Sequence, residues 1–170
     1  MTVKITKPEI NVREKLNELD YGRVPYHKMP AGSVVQVVDK NYTHGHVTTT
    51  SATFVNMGSP FNLSISPKFS NSKILIDVML NPYVSGGESG VYNIHNGTGF
   101  LTSLPNAYGY VPGRVSGGSF GKFHILTSED VSSTETITYQ IYFKSSSTST
   151  SFYGHHNNHL NGFRLTEIAQ

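Results

Sequence analysis

In the stretch "ITYQIYFK" (137–144), Ile137, Tyr139, Ile141 and Phe143 recur at every second position. A period of two is the repeat of a pleated strand that buries one face; a helix would scatter the same residues around its surface. "FNLSISP" (61–67) repeats the pattern, with Phe61, Leu63 and Ile65 on one side and Asn62, Ser64 and Ser66 on the other. "SVVQVVD", "TTTSATFV", "SKILIDVML", "SGVYNIH", "GKFHILTS" and "GFRLTEIA" read as further strands, separated by Gly, Pro, Asn and Ser clusters. "SKILIDVML" is nearly continuous in apolar residues and is expected to be a central strand covered on both faces. Many short strands at this spacing predict an all-β fold, an antiparallel jelly-roll-like β-sandwich.

The head of the chain follows a different rule. "TKPEINVREKLNELD" (6–20) carries a capping box in Thr6 and Glu9, Pro8 in the first turn, and an apolar stripe of Val12, Leu16 and Leu19 at helical spacing. Glu9 and Arg13 stand one turn apart and can pair. The first 28 residues hold 10 Lys, Arg, Asp and Glu; the remaining 142 hold 14. The shift falls near "GRVPYHKMPAG" (22–32), where Pro and Gly interrupt regular structure. Residues 1–28 are therefore expected to form a short helix and linker, and residues 29–170 the β domain. A helix of about 13 residues is marginal alone in water and needs a surface to pack on. Its narrow stripe suits a groove on a partner, or its own copies around a threefold axis.

Composition removes several classes. There is no Cys among the 170 residues, so disulfides and thiolate metal sites are excluded. A net charge of +2 gives no basis for a nucleic-acid or membrane-surface partner. No apolar run approaches the roughly 18 residues of a membrane span. Residues 1–20 lack the apolar core of a secretion signal, so synthesis in the cytoplasm is expected and the sequons at Asn41, Asn62 and Asn96 carry no meaning.

Three sets of residues carry a resemblance. "KITKPEINVREKLNELD" resembles the N-terminal segment of virion proteins of tailed bacteriophages. "MPAGSVVQVV", "TTTSATFVNMG" and "ISPKFSNSKILI" are similar to a β domain of phage fibre and appendage proteins, and "FRLTEIAQ" to its closing strand. Residues 81–130 share no such likeness. The resemblance implies a virion structural protein of the tail-fibre or head-fibre type, a homotrimer, docked on other capsid or tail proteins by its N-terminal segment. The docking residues would be Ile10, Val12, Arg13, Leu16 and Leu19. A capsid decoration protein and a carbohydrate-binding module are the alternatives.

Few residues suggest chemistry. "GGSFG" (117–121) matches a nucleophile elbow with Ser119, but that motif must follow a strand and open a helix, whereas here a strand-like run follows. Glu129 and Asp130 are adjacent and point to opposite faces of a strand, unlike the facing carboxylates of a glycosidase. No enzyme and no cofactor are expected. "THGH" sets His44 and His46 two apart, and "GHHNNH" holds His155, His156 and His159. Imidazole is a metal ligand, and the H-x-H pair resembles metal sites on the axis of phage fibre tips; the alternative is solvated His in polar loops, or a contact sensitive to pH near 6. Tyr92, Asn106, Tyr108 and Tyr110, among Gly and Pro, are candidates for contact with a host-surface glycan, since exposed rings stack on sugars and amides bond their hydroxyls. The alternative is that these rings plug the fold or a subunit interface.

Overall fold

A computed structural model describes residues 25–84, 89–101, 108–111, 119–146, 148–149, 151–156 and 160–170. The expected N-terminal helix, with Ile10, Val12, Arg13, Leu16 and Leu19, lies outside the described residues. The strands are β1 (Val34–Tyr42), β2 (Val47–Thr49), β3 (Val55–Asn56), β4 (Asn62–Ile65), β5 (Lys73–Leu80), β6 (Tyr83–Val84) and β7 (Gly90–His95). They continue as β8 (Tyr108–Val111), β9 (Ser119–Phe120), β10 (Phe123–Asp130), β11 (Ile137–Ser145), β12 (Phe152–His155) and β13 (Asn161–Ile168). The helices among the described residues are two single 3-10 turns, Tyr26–Lys28 and Ser59–Phe61. The described residues are all-β, as the period of two predicts.

Every pairing among the described strands is antiparallel. One sheet runs β1-β13-β5-β10; a second runs β3-β11-β7-β8, with β4 also on β11; a third runs β2-β12-β6-β9. All three feed one core. Ile74, Ile76, Val78 and Leu80 from β5, Tyr139, Ile141 and Phe143 from β11, Phe163 and Leu165 from β13, and Phe152 from β12 are buried together. Alternate residues of β11 enter this core, as their spacing predicts.

Two expectations need correction. β5 is central, between β13 and β10, but among the described residues only one of its faces is covered. Met79 on its other face is 53% exposed. Continuous apolar sequence therefore does not mean two buried faces here. "TTTSATFV" is not one strand either. Ser51 Oγ donates to the Thr53 carbonyl at 2.8 Å and accepts from the Thr53 N–H at 3.1 Å, a local turn that competes with the ladder and separates β2 from β3.

Glu167 is fully buried on the inward side of β13, and among the described residues it forms no ion pair. Its Oε1 accepts from the backbone N–H of Lys68 (2.7 Å) and Phe69 (3.1 Å) and from Ser72 Oγ (2.5 Å), and its Oε2 from Gln36 Nε2 (2.6 Å). Four donors replace water around the carboxylate, which is how a buried charge is tolerated. They also tie the turn before β5 to β1 and β13.

Candidate functional site

A cleft lies where the end of β7 meets β10. "HNGTGF" (95–100) turns sharply: Gly97 takes φ +94°, and Asn96 Oδ1 accepts from Thr98 N (3.0 Å), Thr98 Oγ1 (2.8 Å) and Gly99 N (3.0 Å). An Asn that caps its own turn needs no other support for the loop. Its amide then reaches across sheets, donating from Nδ2 to Glu129 Oε1 at 2.6 Å. Glu129 Oε2 accepts from Tyr139 Oη at 2.7 Å. Burial holds the Tyr139 phenol well above its ordinary range, and the hydrogen bond and charge of Glu129 push it the same way. The turn is thus locked to β10 and β11 by side chains that all face one another.

The cleft so formed has a volume of about 450 Å³ and is lined by Asn96, Thr98, Phe100, Ser128, Glu129 and Asp130 among others. Its described lining includes two carboxylates, Glu129 and Asp130, and Asp130 pairs with Lys73 at 3.4 Å. Its apolar wall is Phe100, 41% exposed and held from behind by Phe54, His95 and Tyr142 at centroid distances of 5.2 Å each. Lys144 caps this cluster, its Nζ 4.8 Å from the Phe54 ring centre. A ring fixed on several sides and open on one, beside amide, hydroxyl and carboxylate groups, can stack on an apolar sugar face and bond its hydroxyls.

The residues singled out in the sequence stand elsewhere. Tyr92 is no surface contact: it is fully buried, stacks on Phe123 (5.0 Å) and donates its hydroxyl to the Gly154 carbonyl at 2.7 Å. Its place on the inward side of β7 puts it in the core. Tyr108 and Tyr110 belong to β8, with Tyr108 opposite Tyr92 in the ladder; Asn106 lies outside the described residues. Ser119 stands in β9, paired with β6, and not at a strand-to-helix turn.

The two histidine motifs come together. Because β2 pairs with β12, His46 packs on His156 at 4.4 Å, and Tyr83 and Tyr153 complete a four-ring cluster. His44 instead packs on Phe61 at 5.6 Å, and its carbonyl lies 2.8 Å from Nε2 of the buried His155, so that nitrogen carries the proton. His44 and His46 therefore turn to different neighbours. Among the described residues no group of three His, Asp or Glu side chains is placed to hold one metal ion; His159 lies outside them.

The sequence alone points to Asn96 as one of several amides able to bond a sugar hydroxyl, but not to Phe100 or to the pairing of Asn96 with Glu129. The available signal was "NGTGF", a turn sequence with an aromatic at its exit. Its meaning depended on Glu129, 33 residues away, which spacing could not bring near. No family model matches the chain, and no curated protein matches it.

Proposed function

We propose that the chain is a structural component of a tailed-bacteriophage virion, a fibre-like appendage whose N-terminal segment docks on the particle and whose β domain faces outward. One observation carries this reading. Three of the four β-domain segments similar to phage appendage proteins, distant in sequence, become neighbours: "VVQVV" opens β1, "KILI" opens β5, "FRLTEI" lies in β13, and β1-β13-β5 are adjacent strands of one sheet, while "TTTSATFVNMG" supplies β2 and β3 of the other two. Glu167 bonds all three segments through Gln36, Ser72 and the Lys68 and Phe69 amides. A likeness spread over such a contiguous unit supports a shared frame better than scattered matches would. Three antiparallel sheets around one core support the jelly-roll-like sandwich. A homotrimer is expected on the same reading. Removing residues 1–28 should leave a folded, soluble β domain that no longer joins particles; a truncated chain that still assembles would refute docking by this segment.

A second reading, contact with a carbohydrate, is favoured by the cleft at Phe100. Its two carboxylates disfavour acidic sugars and suit neutral ones, whose hydroxyls donate to them. Saturation-transfer NMR with glucose, galactose, N-acetylglucosamine and glucuronate should show transfer to a neutral sugar, lost in Phe100→Ala with the melting temperature unchanged. Transfer that survives this substitution, or none to any sugar, would count against the cleft.

A further inference from the structure

We infer that the outer face of the β1-β13-β5-β10 sheet is an interface between copies of this chain. The inference rests on the appendage reading for its expected trimer, but the face itself is argued from the monomer.

Seven large apolar side chains are exposed among the described residues, and four of them, Val34, Val37, Met79 and Leu126, at 50–60% exposure, share this face. Of the others, Tyr26 and Leu160 lie outside the strands and Phe100 belongs to the cleft. The half-buried Leu75 and Ile168 add to the same face. Scattered exposed apolar groups mean little, but a cluster covering one sheet marks a contact surface.

Register sets charges of both signs side by side on this face. Asp39, Arg164 and Asp77 stand abreast on β1, β13 and β5. His124 bonds Asp77 at 2.6 Å, and Lys73 pairs with Asp130 at 3.4 Å. Among the described residues neither Arg164 nor Asp39 forms an ion pair. Three acids thus stand beside two fixed cations and one His, so charges of both signs lie side by side on the face and can meet their opposites on a second copy.

Gly162 gives an independent sign. It sits inside β13, where glycine weakens a strand. A Cβ there would meet only Asn41 Oδ1, at an ordinary 3.5 Å, and its φ is not in the left-handed region. Among the described residues nothing demands glycine there. Its missing side chain instead leaves a hollow of about 220 Å³ between Asn41, Met79, His124 and Arg164. Glycine in a strand interior often marks the close approach of another chain.

The area suffices. Four strands at about 4.8 Å and eight residues at about 3.3 Å span about 500 Å² per copy, or about 1,000 Å² for a pair, the lower bound of a specific interface.

Sedimentation equilibrium of the full chain tests this. The wild type should show a multiple of its 18.7 kDa mass, two where the faces pair directly and three where they gather around a threefold axis. Leu126→Arg and Gly162→Leu, both with unchanged far-UV circular dichroism, should weaken association roughly tenfold or more. Phe100→Ser, off the face, should leave it intact. A monomeric wild type at micromolar concentration overturns the inference while leaving particle incorporation open to its own test. An oligomer unaffected by both substitutions, or equally disrupted by Phe100→Ser, places the interface elsewhere and also overturns it.

Discussion

Replacing Glu167 with Ala should destabilise the β domain by about 3–5 kcal/mol. The substitution strips the acceptor from two backbone N–H groups, one hydroxyl and one amide. A buried donor left unsatisfied costs about 1–3 kcal/mol. The four are not independent, and Gln36 keeps a second acceptor, the Ser66 carbonyl at 2.7 Å, so the total falls below their sum. Glu167→Gln should cost less, about 1–2 kcal/mol, because an amide oxygen still serves Ser72 and the turn while its NH₂ faces the Gln36 donor. Thermal melts followed by far-UV circular dichroism suit a protein with no Trp. At about 2–4 °C per kcal/mol for this length, the Ala variant should melt roughly 10 °C lower. Protein concentration must be held fixed, since association shifts the midpoint. An Ala variant within about 1 kcal/mol of wild type would show that water solvates this carboxylate and that it staples nothing.

Gly90 is a second sensitive point: a Cβ there would lie 2.1 Å from the ring of the fully buried Phe152. Gly90→Ala should lower stability by about 3 kcal/mol or more, and Phe152→Leu in the same chain should recover part of the loss; equal stability of Gly90→Ala and wild type would mean the ring yields freely. Tyr42, Tyr92 and Tyr139 all have phenols raised above the ordinary 10.0, chiefly by burial. Groups whose folded value is raised contribute stability below the unfolded value and lose it as pH climbs through and past it. Stability should therefore hold up to about pH 10 and fall above it, with at least three tyrosines ionising at 295 nm only as the chain unfolds. Free titration of all ten tyrosines before unfolding would contradict their burial.

Much of the fold was legible because a strand with one buried face writes that face into its sequence. β11 is the clear case, with Tyr139, Ile141 and Phe143 buried at every second place. β5 misled for a physical reason: its outward Leu75 and Met79 are as apolar as its inward Ile74 and Ile76, and composition cannot say which face is open. Glu167 was legible only in part. It continues the inward series Phe163, Leu165, but its donors come from 95 to 131 residues away. Tyr92 was misassigned because an aromatic near Gly-rich segments looks like a loop ring, whereas its strand parity sends it inward. The cleft at Phe100 and the meeting of His46 with His156 were beyond spacing alone, since both depend on which strands become neighbours.

The proposed virion role requires that this chain be built into a particle in fixed number. Quantitative mass spectrometry of purified phage particles against an isotope-labelled copy of the chain measures that number directly. The claim predicts a constant copy number per particle, divisible by three and unchanged by further purification. Absence of the chain, or a copy number that falls with each purification step, would contradict it.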